Sequence, residues 1–435
     1  MNLTVTPHRF DKTVRVPASK SHTIRRLLVA SFAEGVSVID RPLDSLDTRS
    51  CLSVCRALGA EITEKADETG SLRWETRGMG GAKGFFSHRG TPCGVPLDVG
   101  NSGTSLFLAI AMASLGTEAV SFTGDEQIAR RSAAPLLNAL RGLGVEVSSG
   151  KNGCVPVTVR GPWRGGKVSM ECPTSQYLSA LLLAAPLAEA GVDTEVETPL
   201  LNEKPYIEMT LSYLDAQGVQ YEKDAAFSRF AVRGGASYKP VSGAVSSDFS
   251  SAAFPACAAA VSGGQAVLQG LDPSDSQGDK AFFDMLREMG CLVEWEKAAD
   301  GSMLLTVKGT GRLRGGLFDL NATPDMLPAA AVLAAFAEGE TRLVNVAHAR
   351  IKETDRIAVM AAELGKMGVD CEELPDGLVI RGGARPRGAV LDGHGDHRIV
   401  MALAVCALGA AAPVTITGAE AADVTYPGFS RLLFP

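Results

Sequence analysis

The densest group of charged side chains in this sequence is the run 352–356, Lys-Glu-Thr-Asp-Arg. It precedes the apolar stretch 357–364, so we expect it in the first turns of a helix, with Lys352 and Arg356 four residues apart on adjoining faces. Carboxylates and cations this close together can move protons and bind an anion. A solvated set of helical ion pairs would have the same spacing, and position alone leaves both interpretations open.

Six short polar clusters each open an apolar run, rich in Ala and Leu, that ends near a glycine. Ser, Thr, Asn and Asp are typical caps of helix N-termini. Such an end favours anions because its backbone N–H groups are free and its dipole end is positive. A fold that gathers these ends would line a site for a heavily anionic ligand. The clusters are residues 19–21, 101–104, 173–176, 247–251, 323–325 and 396–398.

Several charged residues lie in or near these clusters. Arg398 is expected in an N-terminal helical turn, and Arg131 is expected to open another helix in the same way. A cation there opposes the helix dipole, so an anionic partner would explain both. Lys20 and Arg25 could instead be exposed cations behind a cap, and Asp325 could be an N-terminal acid. Because these groups recur at the same place in the repeat, they strengthen one another as candidates.

A second repeated pattern lies between the clusters, and consists of a helical segment, a glycine just after it and a short alternating strand. A further copy would begin near residue 429, where the sequence ends before completing it. Solenoid repeats run about 20 to 50 residues. The glycines of this pattern lie further apart than that, which favours an α/β fold of about six βαβαββ units. The glycines are Gly59, Gly144, Gly218, Gly290 and Gly368.

Composition excludes several classes of protein. The chain has 435 residues and a net charge of −7, which suits a large globular protein and argues against nucleic acid as a partner. Its nine cysteines form no CxxC pair, as expected for free thiols in a reducing cytoplasm. No stretch approaches the roughly 20 apolar residues of a membrane span, and no signal segment is evident, so a cytoplasmic protein is expected. His394 and His397 lack further ligands, so no metal site is predicted.

These motifs together resemble the 5-enolpyruvylshikimate-3-phosphate synthase (3-phosphoshikimate 1-carboxyvinyltransferase) family, and the similarity extends over the whole chain. Each motif is modest alone, but their order and spacing make the set specific. The matching segments are Ser19-Lys20-Ser21 with Arg25, residues 100–104, Thr174-Ser175-Gln176, Lys204-Pro205-Tyr206, Asp325, residues 352–356 and Asp396-His397-Arg398.

The resemblance implies a two-lobed α/β enolpyruvyl transferase fold, with three βαβαββ units in each lobe and the active site in the cleft between the lobes. The first lobe would comprise residues 19–245, and the second residues 1–18 and 246–435. The N-terminal segment would then complete the truncated sixth unit. A monomer is expected.

The family's reaction transfers the carboxyvinyl group of phosphoenolpyruvate to the 5-hydroxyl of shikimate 3-phosphate and releases phosphate, by addition and elimination through a tetrahedral intermediate. It belongs to the shikimate pathway, which leads to chorismate and the aromatic amino acids. The resemblance assigns Glu353 to the proton on the methylene carbon and Asp325 to the 5-hydroxyl, with Lys20 as an auxiliary acid. Sequence leaves the division of these protons open. The implied partners are small anionic substrates, and no cofactor is implied.

The resemblance also divides the binding residues between the two substrates. Their cations suit two phosphorylated acids, since each phosphate carries about −1.5 to −2 charges. The residues implied for shikimate 3-phosphate are Lys20, Ser21, Arg25, Thr174, Ser175, Gln176, Tyr206, Asp325, His348 and Lys352. The residues implied for phosphoenolpyruvate are Lys20, Gly103, Arg131, Gln176, Arg356 and Arg398.

Four residues depart from the family pattern. Phe107 stands where many members carry Arg, and Val424 stands where a Lys is frequent. His348 replaces an Asn, and Glu203 replaces a Ser or Thr expected beside the substrate phosphate. The changes at 107 and 424 remove positive charge, and the change at 203 adds negative charge near a phosphate.

Two alternatives to this function remain at the level of sequence. One is a degenerate, non-catalytic binding protein of the same fold, which the departures support and the joint presence of Lys20, Asp325 and Glu353 opposes. The other is an enolpyruvyl transferase that acts on a UDP-sugar. That sister family has Asn after the N-terminal lysine, whereas Ser21 follows Lys20 here.

Overall fold

The computed structural model describes residues 1–80 and 95–434. The chain forms two compact units, one made of Met1–Ser19 with Ser246–Pro435 and the other of Lys20–Val245. In the described ranges, no helix combines the length and the apolar character needed to cross a membrane.

The described residues of the unit Lys20–Val245 form three four-stranded sheets with one shared plan. In each sheet an outer strand runs parallel to the next, which pairs antiparallel with a third strand, and the fourth strand pairs antiparallel at the far edge. In spatial order, the strands of the first sheet are β14 (Ser242–Ala244), β3 (Val36–Asp40), β5 (Leu72–Arg77) and β4 (Glu61–Ala66). Those of the second sheet are β6 (Leu97–Asp98), β7 (Val120–Thr123), β9 (Val157–Arg160) and β8 (Glu146–Ser149). Those of the third sheet are β10 (Gly166–Ser169), β11 (Asp193–Glu197), β13 (Arg229–Arg233) and β12 (Tyr221–Lys223).

Among the described residues of this unit, each helix is followed along the chain by one strand or by three strands. Every residue of the helix Gly103–Ala113 is buried, which is the environment expected for a helix with no charged residue on any face. The helices are α1 (Lys20–Phe32), α2 (Leu46–Leu58), α3 (Gly103–Ala113), α4 (Ala134–Gly142), α5 (Ser175–Ala184) and α6 (Lys204–Gln217).

The unit that holds both ends of the chain follows the same plan in two four-stranded sheets. Its third sheet has three strands, and a two-stranded pair completes the set. In spatial order, the two four-stranded sheets are β2 (Asp11–Arg15), β15 (Gln265–Gln269), β17 (Met303–Lys308) and β16 (Leu292–Lys297), and β19 (Leu317–Asp319), β21 (Glu340–Val344), β23 (Gly377–Arg381) and β22 (Asp370–Leu374). The three-stranded sheet is β24 (Val390–Asp392), β25 (Val414–Thr417) and β1 (Asn2–Val5). The two-stranded pair is β18 (Leu313–Arg314) and β20 (Ala337–Glu338).

The N-terminal strand completes the sixth sheet, as the sequence analysis expects. β1 pairs antiparallel with β25, with Leu3 opposite Ile416 and Val5 opposite Val414. Leu3 and Val5 are both buried, because alternate residues of a strand point to one face. The sheet therefore obtains from the start of the chain a strand that the last repeat does not contain.

Three Ala-rich helices lie in the core of this unit. Small side chains let these helices approach closely. A Cβ on Gly409 would lie 2.6 Å from the ring of Phe336 and 2.7 Å from the carbonyl oxygen of Val261. The three Ala-rich core helices are α7 (Phe249–Ser262), α9 (Leu327–Phe336) and α11 (His397–Gly409). The other helices described in this unit are α8 (Phe282–Glu288), α10 (Arg356–Lys366) and α12 (Phe429–Leu432).

The glycines of the second repeated pattern adopt the backbone conformation that the pattern predicts. All five have positive φ, a region that other residues enter only with strain. This confirms that each helical segment ends at its glycine and turns into a strand. The φ angles are 119° at Gly59, 91° at Gly144, 71° at Gly218, 103° at Gly290 and 81° at Gly368.

Candidate functional site

In the unit that holds both chain ends, one arginine organises three carboxylates. The side chain of Arg356 is fully buried, and its Nη1 donates to Asp325 Oδ1 at 2.8 Å. Its Nη2 donates to Glu353 Oε2 at 2.5 Å, and its Nε donates to Asp396 Oδ2 at 2.8 Å. The second carboxylate oxygen of Asp325 accepts from Arg398 Nη2 at 2.9 Å. The structure thus brings together Asp325, Glu353, Arg356 and Arg398, all named from sequence.

Three helix starts position this network. The side chain of Asp355 caps α10 by accepting from Ala358 N at 3.0 Å. Asp396 caps α11 and also binds Arg356, so one side chain serves both structure and site. Asp325 lies in the single helical turn Pro324–Met326 that precedes α9. The prediction that the polar clusters lie at helix N-termini is confirmed here.

One local prediction in this region is wrong. Lys352 and Arg356 do not share a helical turn, because α10 begins at Arg356. The side chain of Asp355 is the cap, so Lys352 and Glu353 lie before the helix in an irregular segment. The side chain of Glu353 still reaches Arg356, because the two residues are only three positions apart along the chain.

The network fixes the charge state of its members. Burial alone would raise the pKa of Asp325, but the cations of Arg398, Lys352 and Arg356 outweigh it and hold this pKa well below its usual range. Burial would lower the pKa of Arg356, but the carboxylates led by Asp396 outweigh it and raise this pKa above its usual value. Asp325 is therefore a carboxylate, and Arg356 a cation, throughout the physiological pH range.

His348 and Lys352 lie in the same region. His348 is buried, and its Nε2 lies 3.2 Å from the carbonyl oxygen of Asn321. Lys352 is half-buried and close enough to Asp325 to lower its pKa. Both predicted residues therefore lie in this unit, and Lys352 lies beside the network.

In the unit Lys20–Val245, the first residue of α1 is anchored by a carboxylate that sequence analysis missed. The Nζ atom of Lys20 donates to Asp47 Oδ2 at 3.0 Å, and Asp47 is 3 % exposed. The other oxygen of Asp47, Oδ1, is buried and has no hydrogen-bond partner among the described residues. Asp47 lies in the first turn of α2, where an acid is so common a feature that its position alone carries no functional signal.

Arg25 is buried on α1, the helix that begins at Lys20. Its Nε donates to Thr210 Oγ1 at 3.0 Å and its Nη2 to Ser179 Oγ at 3.2 Å. Its Nη1 donates to the carbonyl oxygen of Ser21 at 3.3 Å. Burial lowers the pKa of Arg25 to about 10, partly offset by Tyr213 and other neighbours, so the guanidinium stays charged at neutral pH. Sequence analysis missed Thr210 and Ser179 because they lie on different helices.

The predicted phosphate-binding residues contact a carboxylate of the protein itself. Glu203 Oε2 accepts from Ser175 N at 2.9 Å, Ser175 Oγ at 2.6 Å and Thr174 Oγ1 at 3.2 Å. Glu203 is 1 % exposed and directly precedes α6. The backbone N–H of Tyr206 donates to the carbonyl oxygen of Glu203 at 3.0 Å, which places this predicted residue in the first turn of that helix.

Gly103 gives room to an arginine. A Cβ on Gly103 would lie 2.4 Å from Arg131 Nη1 and 3.5 Å from Gln176 Oε1. The Nε2 atom of Gln176 donates to Thr104 Oγ1 at 3.3 Å. The three residues predicted for one substrate, Gly103, Arg131 and Gln176, therefore lie together.

The prediction that Arg131 opens a helix is wrong. Arg131 follows the single turn Ile128–Arg130, and α4 begins at Ala134. Pro135 occupies the first turn of α4, a position where proline costs no hydrogen bond, and so sets the start after Arg131.

The remaining two departures from the family pattern are apolar. Phe107 is buried in α3 with its ring edge-on to Tyr177 at 5.0 Å between centroids. Val424 is half-buried at the end of the helical turn Ala419–Val424.

Within residues 1–80 and 95–434, no group of three or more His, Cys, Asp or Glu side chains is placed to hold a metal ion.

Comparison with known proteins shows the family to which the chain belongs. The family described as EPSP synthase (3-phosphoshikimate 1-carboxyvinyltransferase) matches residues 5–433. The chain belongs to the EPSP synthase family. A relative named 3-phosphoshikimate 1-carboxyvinyltransferase from Acetivibrio thermocellus is 46% identical over 434 residues, which cover 100% of this chain and 97% of the relative. One of the same name from Ruminiclostridium cellulolyticum is 44% identical, covering 99% of this chain and 97% of the relative.

Solved structures show the same fold. An EPSP synthase from Acinetobacter baumannii aligns with a TM-score of 0.78 and 28% identity, covering 99% of this chain and 97% of that structure. The chain therefore has the α/β enolpyruvyl transferase fold. The fold class implied by the sequence resemblance is confirmed.

Proposed function

We propose that this chain transfers the carboxyvinyl group of phosphoenolpyruvate to the 5-hydroxyl of shikimate 3-phosphate and releases phosphate. The observation that carries the proposal is the buried network in which Arg356 binds both Asp325 and Glu353, within a chain 46% identical to a 3-phosphoshikimate 1-carboxyvinyltransferase. Such an enzyme serves the shikimate pathway, which leads to chorismate and the aromatic amino acids. A cytoplasmic location is part of the proposal, and the free thiols of the described cysteines support it.

Addition would come first. The oxygen of the 5-hydroxyl attacks C2 of phosphoenolpyruvate as Asp325 takes the hydroxyl proton, while C3 gains a proton and becomes a methyl group. Glu353 would deliver that proton, which it can hold once phosphoenolpyruvate has drawn the cation of Arg356 away from it. Elimination then removes one methyl proton to Glu353, expels phosphate and regenerates the double bond. Asp325 would pass the hydroxyl proton to the departing phosphate, so that each carboxyl group returns to its starting protonation state.

The depressed pKa of Asp325 suggests how substrate binding would activate it. A carboxylate with so low a pKa is a poor base at neutral pH. We propose that the carboxylate and phosphate of phosphoenolpyruvate draw Arg356 and Arg398 away from Asp325. With less positive charge at hand, the pKa of Asp325 would rise and the group could accept the hydroxyl proton.

The residues of the other unit would bind the rest of the two substrates. Lys20, held by Asp47, would act as an auxiliary acid toward the phosphoenolpyruvate phosphate. Gly103, Arg131 and Gln176 would complete the phosphoenolpyruvate site, because the missing side chain of Gly103 leaves room beside the guanidinium.

The acceptor would contact several helices. Arg25 and Ser21 would hold the shikimate carboxylate, since Arg25 stays charged although it is buried. Thr174 and Ser175 would hold its phosphate through two hydroxyl groups and a backbone N–H at the start of α5. The further proposed contacts to the acceptor are Lys20, Gln176, Tyr206, Asp325, His348 and Lys352.

The test is phosphate release by the purified protein, given phosphoenolpyruvate alone, with shikimate 3-phosphate, or with a UDP-sugar. The proposal predicts release only with shikimate 3-phosphate, and its loss in Glu353→Gln. Binding of shikimate 3-phosphate without release would favour the non-catalytic alternative. Release only with the UDP-sugar would replace the acceptor.

A further inference from the structure

The donors proposed for the acceptor's phosphate already bind an anion that belongs to the protein. One oxygen of Glu203 accepts three hydrogen bonds from Thr174 and Ser175. These donors are the hydroxyl groups of both residues and the backbone N–H of Ser175. The carboxylate thus occupies the start of α5 as an external anion would.

The backbone at Glu203 shows that this contact is not incidental. Glu203 has φ 60° and ψ 41°, in the left-handed region that glycine enters freely and most other residues enter only with strain. Pro205 follows in the first turn of α6 and restricts how the chain can enter that helix. A glycine or asparagine would adopt this conformation more readily, so the hydrogen bonds of the side chain offset a backbone cost.

Two anions cannot share these donors. A phosphate monoester carries about −1.5 to −2 charges and three acceptor oxygens, whereas Glu203 offers a single carboxylate. In a buried site, repulsion between like charges at contact distance is far stronger than in water. The phosphate would therefore enter only if the Glu203 side chain rotates away from Thr174 and Ser175.

We propose that Glu203 is an internal competitor for the acceptor's phosphate and so sets the affinity for phosphorylated acceptors. This inference rests on the proposed function, because it uses shikimate 3-phosphate as the acceptor. Glu203 holds the donors when no acceptor is bound. The phosphate displaces it by offering more charge and more acceptor atoms to the same three donors.

The experiment is calorimetric binding of shikimate 3-phosphate and of shikimate to the full chain, without phosphoenolpyruvate. Glu203→Gln keeps the shape but makes the competitor neutral, and hydrogen bonds donated to a neutral acceptor are about half as strong as those donated to a carboxylate. Its Kd for shikimate 3-phosphate should fall on the order of tenfold. Its Kd for shikimate should stay within about twofold, because shikimate does not need the donors.

Two further variants serve as a second test of the competitor and as a control for the loss of one charge. Glu203→Gly removes the competitor and suits the positive φ, so it should tighten shikimate 3-phosphate binding even if Glu203→Gln folds poorly. Glu208→Gln removes one charge from an exposed position on α6, the helix that Glu203 precedes, and should bind both ligands as the wild type does.

Unchanged or weaker binding of shikimate 3-phosphate by both Glu203 variants would overturn the inference, because Glu203 would then remain in place beside the bound ligand. Equal tightening of both ligands would also overturn it, since the effect would not concern the phosphate. If neither the wild type nor any variant binds shikimate 3-phosphate, the acceptor in the proposed function is wrong and the inference fails with it.

Discussion

At the scale of single residues, the network around Arg356 concentrates opposite charges in a buried place. Taking charges out of water is costly, and pairing offsets this cost only when each group keeps its partners. Asp325, Glu353 and Asp396 face Arg356 and Arg398, and Lys352 adds a third positive charge nearby. Removal of one member therefore leaves others uncompensated.

Arg356→Lys keeps the charge but cannot reproduce the forked contacts to Asp325, Glu353 and Asp396. Hydrogen bonds between charged groups contribute about 1.5–3 kcal/mol each, and at least two would be lost. We expect the free energy of unfolding to fall by about 3 kcal/mol or more, measured by urea denaturation. The matched control is Arg381→Lys, whose half-exposed ion pairs should change it by about 1 kcal/mol at most. Equal effects would contradict this account of the network.

The pKa of Asp325 predicts a pH dependence of stability. Its folded pKa lies below the unfolded value of about 3.9. Its contribution is therefore complete above about pH 4 and is lost as the pH falls toward the folded value. The difference in the free energy of unfolding between the wild type and Asp325→Asn should be largest near pH 7 and shrink toward pH 3. A constant difference over that range in urea denaturation would contradict the assignment.

At the scale of elements, sequence predicts the helices better than the segments between them. Capping residues and glycines mark both ends of a helix, so the starts of α1, α3 and α5 and all five left-handed glycines follow from local chemistry. The segment before Arg356 lies outside the helix that the sequence predicts there, because a helical charge pattern and a cap at Asp355 look alike in sequence. Asp47, Ser179 and Thr210 could not be found, since only the packing of separate helices brings them to Lys20 and Arg25.

The first residue of α3 predicts an effect on one substrate. Gly103→Ala places a Cβ 2.4 Å from Arg131 Nη1, so the guanidinium must move. We expect the KM for phosphoenolpyruvate to rise on the order of tenfold, with a smaller change in kcat, because the arginine is proposed to bind rather than to react. Gly365→Ala on α10 adds a methyl group in open space and should leave KM unchanged.

Steady-state kinetics with varied phosphoenolpyruvate checks this prediction. An unchanged KM in Gly103→Ala would remove Arg131 and Gly103 from the phosphoenolpyruvate site. A similar rise in Gly365→Ala would show that any added methyl group disturbs binding.

At the scale of the whole molecule, both ends of the chain contribute to one compact unit. The repeat pattern predicted a truncated last copy, and β1 supplies the strand that this copy lacks. Sequence could not give the register, because the residues that pair are separated by almost the whole chain. The register follows from burial of Leu3 and Val5 beside β25.

Val5→Ala tests whether β1 contributes to the stability of this unit. Val5 is fully buried, and burial of a valine side chain contributes about 1.5–3 kcal/mol. We expect the free energy of unfolding to fall by about that amount in urea denaturation. Thr4→Ala changes an exposed residue of the same strand and should cost at most about 1 kcal/mol. If Val5→Ala costs no more than Thr4→Ala, β1 is not an integral strand.

The most direct test of the central claim is the reaction in D₂O, followed by mass spectrometry of the product and of recovered phosphoenolpyruvate. Addition and elimination pass through a methyl group, so solvent deuterium should enter the vinyl methylene of the product when both substrates are present. The Glu353→Gln variant should lose both the transfer and the incorporation. A carboxyvinyl product without deuterium, or full incorporation in Glu353→Gln, would contradict the proposed chemistry.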